Sequence, residues 1–124
     1  MKPLVQEATN KTPYLNFNPE NGHIQIRGRS IPENPHMLFD PILEWLDTYS
    51  SNPSPVTRVE IKLDYFNTIS SIFLLNVFKK LNELYIHQNV TDISWYCDKN
   101  DEDMIEAGED YQSIVDIPIN IIAE

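Results

Sequence analysis

The chain changes from one hydrophobic period to another at a single well-marked junction. In residues 56–66, polar and apolar side chains alternate with a period of two, which predicts a half-buried strand. In residues 69–86, apolar side chains recur at helical spacing without proline or glycine, which predicts a long helix. Asn67 and Thr68 lie between the two segments. The sequence therefore predicts a strand that leads directly into a helix at these two residues.

The first half of the chain predicts a hairpin followed by a helix. Residues 14–17 and 23–27 alternate on either side of an Asn-Gly pair, which is a strong turn signal. In residues 36–49, apolar side chains recur every three or four positions, as in an amphipathic helix. Pro41 lies inside that segment and marks either its first turn, with Asp40 as the cap, or a kink.

The second half of the chain predicts two more strands with a helix between them. Residues 91–96 are predicted to form the first of these two strands. The acidic segment after it is predicted to contain a short helix that ends at Gly108. Residues 117–122 form the last strand, which Pro118 places at an edge of the sheet. The order β-β-α-β-α-β-α-β predicts an α/β fold, with a mixed sheet of about five strands and helices packed on it.

Length and composition predict one globular domain with a short tail. The chain has 124 residues and a hydrophobic fraction of 41%, which is ordinary for a folded domain. Residues 1–12 mix polar groups without periodicity and are predicted to form a flexible N-terminal tail. Residues 13–124 are predicted to form a single domain.

The charge of the chain restricts its partners and its location. The formal net charge is −10, and the basic residues form no cluster, so nucleic acid and anionic membranes are not expected as partners. We expect partners that bring basic groups. No apolar run approaches twenty residues, and no secretory segment precedes the first strand, so no membrane span is expected. A single cysteine fits a reducing cytoplasm, and we expect a cytoplasmic protein.

The residues of the chain do not suggest an enzyme. His23, His36 and His87 fall on separate elements without metal-ligand spacing, so neither a metal nor another cofactor is expected. Cys97 is followed by Asp98, whose charge disfavours a thiolate nucleophile. With three glycines, the chain offers no glycine-rich phosphate loop.

Hydroxyl groups gather where the long helix begins. Thr68, Ser70 and Ser71 lie at a helix N-terminus, where free N–H groups and the dipole favour an anion such as phosphate. Such a hydroxyl is either a helix cap or a site of phosphorylation. Spacing alone favours a cap, formed by Asn67 or Thr68.

Apolar side chains beside these hydroxyls predict a surface for a partner. Ile69, Ile72 and Phe73 widen the apolar stripe of the helix over its first turns. A phosphate there would place an unpaired charge in an apolar contact and oppose it. The chemistry therefore suits a site at which phosphorylation switches binding off.

Four motifs in the same order resemble a known family. The strand–Asn–Thr–x–Ser–helix pattern is similar to STAS domains of anti-sigma factor antagonists, and more closely to the SiaC-type regulatory phosphoproteins of bacterial biofilm and aggregation control. The motifs are Pro32-Glu33-Asn34, Tyr65-x-Asn67-Thr68-x-Ser70, Ser94-Trp95 and Gly108-Glu109, the last closing an acidic run. The resemblance extends from about Thr12 to Ile122 and implies a STAS-like fold.

The resemblance implies a regulator that exchanges partners and is not an enzyme. A kinase similar to anti-sigma factors would phosphorylate Thr68, with Asn67, Ser70 and Ser71 shaping the loop, and a PP2C-type phosphatase would remove the phosphate. The unphosphorylated form would bind and activate a diguanylate cyclase, which raises cyclic di-GMP. Two alternatives remain, an antagonist that controls a sigma factor and a domain without a switch in which Thr68 only caps the helix. The expected partner contacts are Ile69, Ile72, Phe73, Pro32, Glu33 and Asn34.

Overall fold

Three helices cover one face of a six-stranded sheet. The structure is a computed structural model that describes residues 1–87 and 91–124 together with the backbone of Val90. The strands are β1 (Leu4–Gln6), β2 (Tyr14–Asn18), β3 (His23–Ser30), β4 (Val56–Phe66), β5 (Val90–Cys97) and β6 (Ile119–Ala123). The helices are α1 (Pro35–Ser50), α2 (Thr68–Ile86) and α3 (Glu102–Gln112).

The strands lie in the sheet in the same order as in the chain. The first three are antiparallel neighbours, whereas β3, β4, β5 and β6 are parallel. Each parallel pair is joined by one helix, and right-handed crossovers between successive neighbours place every helix on the same face. The connections into α1, α2 and α3 consequently leave the sheet at one edge, formed by the C-terminal ends of β3, β4 and β5. We call this the carboxyl edge.

The core lies between this sheet and its helices. Alternate strand residues face the helices in rows set by the strand register. One row consists of Phe17, Ile24, Val59, Ile93 and Ile119, and the next of Leu15, Ile26, Ile61, Trp95 and Ile121. The side chains between these rows face away from the helices and are mostly polar.

The predicted mixed α/β class is confirmed, with one strand more than expected. The hairpin of β2 and β3 has the expected turn, where Gly22 takes a φ of 71°. The additional strand is β1, which lies within residues 1–12, where we expected a flexible tail. It pairs with β2 in antiparallel register and places Leu4 against the core. Three residues are too few to show a period, which is why the pattern did not reveal it.

The structure answers one open question about the helices and corrects one prediction. Helix α1 begins at Pro35 and continues through Pro41, so of the two alternatives for Pro41 the first turn capped by Asp40 is excluded. Gly108 does not end α3, which continues to Gln112. This glycine instead lies against Trp95, because a Cβ atom there would be 2.8 Å from the indole Cδ1 and 3.0 Å from Nε1. The glycine allows the helix to approach the sheet closely.

Gly108→Ala is expected to lower the free energy of unfolding by about 1–2 kcal/mol. Alanine favours the helix by about 0.5–1 kcal/mol over glycine, but overpacking against a buried ring costs about 1–3 kcal/mol. Urea denaturation measures the difference, with exposed Glu106→Ala as a control on the same helix. A more stable Gly108→Ala would contradict the close contact with Trp95.

Candidate functional site

The turn from β4 into α2 is capped by the side chain of Asn67. This residue has an extended backbone, and its Oδ1 accepts a hydrogen bond from the N–H of Ser70 at 2.9 Å. Its carbonyl oxygen accepts the N–H of Ser71 at 3.1 Å. Of the two capping candidates in the sequence, the structure thus identifies Asn67. Thr68 is not needed for this role.

Thr68 is the first residue of α2 and is exposed. Its carbonyl oxygen accepts a hydrogen bond from the Ser71 hydroxyl at 2.5 Å. Its own hydroxyl has no hydrogen-bond partner in the part of the chain that the structure describes. This hydroxyl therefore lies at the positive end of the helix dipole and stabilises no other group among the described residues.

Ser70 is enclosed, unlike Thr68. It is 0% exposed, and its hydroxyl contacts the Ser30 hydroxyl at 2.8 Å and donates to the Ser30 carbonyl at 2.9 Å. That carbonyl also accepts the N–H of Asn67 at 3.1 Å. The end of β3 thereby holds the first turn of α2 in place. A kinase cannot reach this hydroxyl without opening the core.

Ser71 is half-buried, and a tyrosine of α3 binds its main chain. The Tyr111 hydroxyl donates to the Ser71 carbonyl at 2.8 Å. Burial first, and then the charge of Asp110, raises the pKa of this phenol, so it remains a donor at any physiological pH. Sequence reasoning missed both Ser30 and Tyr111, because their contacts with the turn span 40 residues. No local pattern signals such contacts.

The apolar residues predicted as partner contacts differ in their environment. Ile69 and Ile72 are 51% and 59% exposed and lie three positions apart on one side of α2. Phe73 is only partly exposed because it packs against α1, stacked on Phe39 with ring centroids 4.9 Å apart. It also contacts the ring of His36 edge-on at 5.2 Å. The exposed apolar surface beside Thr68 therefore consists mainly of the two isoleucines.

The Pro32-Glu33-Asn34 motif leaves the sheet at the same carboxyl edge as Thr68. Pro32 is buried, whereas Glu33 and Asn34 are exposed. Glu33 forms an ion pair with Lys11, which lowers the pKa of its carboxyl group. The motif borders a depression of about 350 Å³ whose other side is formed by residues 6–12. Of the three predicted contacts, Glu33 and Asn34 are the ones that a partner can reach.

The described residues provide neither a metal site nor an activated cysteine. Among residues 1–87 and 91–124, no three His, Cys, Asp or Glu side chains are arranged to hold a metal ion. Cys97 is buried, and burial, followed by the charges of Asp101 and Asp98, raises the pKa of its thiol. None of the helices described is long and apolar enough to cross a membrane.

The sequence matches the model of a family of regulatory phosphoproteins over nearly its whole length. The model of the SiaC family, described as regulatory phosphoproteins, matches residues 6–124. The protein belongs to this family, which confirms the resemblance of its motifs. An uncharacterized protein of Pseudomonas aeruginosa (strain UCBPP-PA14) is 24% identical over 123 residues, with 99% of this chain and 98% of the relative covered.

Solved structures share the fold over the whole chain. Apo-SiaC from Pseudomonas aeruginosa superimposes with a TM-score of 0.91 at 23% identity, covering 99% of this chain and 100% of that one. SiaC in its complex with the diguanylate cyclase SiaD, which it activates, superimposes with a TM-score of 0.92 at 23% identity. That comparison covers 98% of this chain and 99% of the SiaC chain.

Proposed function

We propose that this protein is a partner-switching regulator, reversibly phosphorylated on Thr68, whose unphosphorylated form binds and activates a diguanylate cyclase. The observation that carries the proposal is the contrast among the three hydroxyls of the turn. That of Thr68 is exposed and has no hydrogen-bond partner among the described residues, that of Ser70 is buried, and that of Ser71 is bonded to the main chain. Family membership and the complex of a relative with such a cyclase support the proposed type of partner.

The position of Thr68 suits a phosphate within the protein itself. A phosphate carries a charge of about −1.5 to −2 at neutral pH. At the first position of α2 it meets the positive end of the helix dipole and main-chain N–H groups. The modified protein therefore keeps its fold, and phosphorylation acts on binding.

The position is unfavourable for a phosphate when a partner is bound. Ile69 and Ile72 offer apolar surface directly beside the threonine. A partner that covers this surface would also remove water from the phosphate, and an unpaired charge is costly to desolvate. Phosphorylation by a kinase then releases the cyclase, and dephosphorylation by a PP2C-type phosphatase restores binding. We place this cycle in the cytoplasm, where cyclic di-GMP is made.

Intact-mass analysis after co-expression with the cognate kinase tests the phosphosite. The wild type is expected to gain one phosphate, Thr68→Ala none, and Ser71→Ala one, because among the three hydroxyls of the turn only that of Thr68 lacks a hydrogen-bond partner within the described residues. Loss of the gain in Ser71→Ala together with its retention in Thr68→Ala would move the site to Ser71. No gain in any variant, with a kinase active on a control substrate, would refute the switch.

A further inference from the structure

The sheet ends at β6, and one side of this strand pairs with no other strand among the described residues. In a parallel pair, the main-chain groups of successive residues point alternately toward the neighbouring strand and away from it. The N–H of Glu124, directly after β6, donates to the Cys97 carbonyl at 3.0 Å, so the even-numbered residues here bond to β5. The main-chain groups that point away from the sheet are those of Ile119, Ile121 and Ala123. We call this side of the strand the β6 edge.

A glutamine of α3 covers only the start of the β6 edge. The Gln112 Oε1 accepts the N–H of Ile119 at 2.6 Å, and its Nε2 donates to the Ile117 carbonyl at 3.1 Å. The side-chain amide thus takes the place that a peptide group of a further strand would take. Beyond it, the N–H groups of Ile121 and Ala123 and the carbonyls of all three outward residues have no hydrogen-bond partner within the described part of the chain.

The sequence of β6 does not protect this edge. Edge strands are usually very short, or they carry lysine, proline or a bulge that prevents another strand from pairing. The opposite edge of the sheet follows this rule, since β1 has three residues. Strand β6 has five residues with neither charge nor proline, and its register with β5 is unbroken. Its main chain therefore offers a template on which an extended segment can form a further strand.

Helix α3 defines the chemistry beside the β6 edge. Glu102, Ile105 and Glu109 precede Gln112 at intervals of three or four residues, so they lie on the side of α3 that faces this edge. Ile105 is partly buried against the core, whereas both glutamates are exposed and form no ion pair with a described residue. The helix has no basic residue. A segment on the β6 edge would consequently meet an apolar group between two carboxylates.

We propose that the β6 edge binds an extended segment of a partner protein that combines apolar and basic side chains. The segment would hydrogen-bond to the free groups of Ile121 and Ala123. On the helix side, its apolar side chain would contact Ile105 and Ile121, and its Lys or Arg side chains would reach Glu102 and Glu109. A second copy fits less well, because a two-fold pairing of β6 strands would bring together two acidic α3 helices in chains of net charge −10.

Titration of the isotope-labelled full chain with the capped peptide Lys-Thr-Val-Thr-Lys, followed by NMR, tests this proposal. In this peptide the two lysines and the valine share one face of a strand. Amide exchange with solvent is expected to slow at Ile121 and Ala123, whose N–H groups gain a partner. Exchange at Ile122 should change little, since its N–H already points toward β5.

Two kinds of variant separate the main-chain and side-chain contributions. Ala123→Pro removes an outward N–H that bonds no described residue, and it is expected to weaken binding by about fivefold or more. Glu102→Gln with Glu109→Gln is expected to weaken binding by about fivefold. The matched control is Asp103→Asn with Asp110→Asn, which changes the charge equally at exposed positions one residue further along the same helix, turned away from β6. It should weaken binding less than about twofold.

Several results would overturn the proposal. Unchanged exchange at Ile121 and Ala123 with millimolar peptide would exclude pairing at this edge, and equal losses in the two double variants would exclude the glutamates as contacts. Protection of the Ile121 amide without peptide, together with a dimer in analytical ultracentrifugation, would make a second copy the occupant. If Ala123→Pro loses the native spectrum, the two double variants decide. Thr68→Ala should bind the peptide as the wild type does, because the Thr68 turn follows β4, so this proposal and the switch can fail independently.

Discussion

Phosphorylation of Thr68 is expected to weaken binding to the diguanylate cyclase by about 100-fold, and Thr68→Asp by about tenfold. Coupling between two sites on a protein usually amounts to about 1–3 kcal/mol, or 5–150-fold. We expect the effect of the phosphate at the upper end of this range, because it places nearly two negative charges beside Ile69 and Ile72, whereas Asp places one. Calorimetric titration of the cyclase with each form measures both affinities.

The fold of the Thr68→Asp variant should be intact, so a change in its affinity reports on binding and not on stability. Asn67 remains the cap, and an acidic residue in the first turn of a helix stabilises it by about 0.3–1 kcal/mol. Lys79→Gln lowers the net charge by the same one unit at an exposed position two helical turns beyond Ile72 and is expected to keep wild-type affinity. Equal affinity of Thr68→Asp, the phosphoprotein and the wild type would leave a binding domain without a switch. Binding of an anti-sigma factor in place of the cyclase would favour the sigma-factor pathway.

Trp95→Ala is expected to cost about 3–5 kcal/mol of unfolding free energy, a large part of the stability of a domain this size. The ring is 1% exposed and lies among Phe66, Phe78 and Tyr111, with centroids 5.7–6.1 Å apart. Its Nε1 donates to the Met104 carbonyl at 3.0 Å. The substitution leaves a cavity between two helices and the sheet and removes that hydrogen bond.

The neighbouring position provides a control for this substitution. Tyr96 points to the opposite face of the same strand, so Tyr96→Ala should change stability by less than about 1 kcal/mol. Urea denaturation of both variants at one pH measures the two values. Similar losses in the two would contradict a sheet with a single covered face.

Sequence reasoning succeeded where a long periodic pattern determines the structure. The alternation in residues 56–66 coincides with β4, because Thr57, Val59, Ile61 and Leu63 all face the helices. Helix α2 begins one residue before the predicted start, since its cap is the asparagine that precedes Thr68. In patterns of this length, a single residue that departs from the period does not change the predicted element.

Sequence reasoning failed where a contact between residues distant in the chain determines the local structure. Gly108 is a typical helix-ending residue, but the Trp95 ring pressed against it explains the glycine better. The hydroxyls of the turn show the same limit. Their spacing favours a helix cap, but it does not indicate which of the three hydroxyls is buried. The resemblance selected Thr68, and the structure adds a physical distinction, namely that Ser70 is enclosed by Ser30.

The agreement between strand order and chain order has a consequence for folding during synthesis. Each strand from β2 onward pairs with the strand made just before it, so the sheet can grow in the direction of translation without leaving a gap for a later segment. When α2 leaves the ribosome, Ser30 is already in place to receive its first turn. Tyr111 arrives later, and the turn gains its last hydrogen bond only when α3 docks.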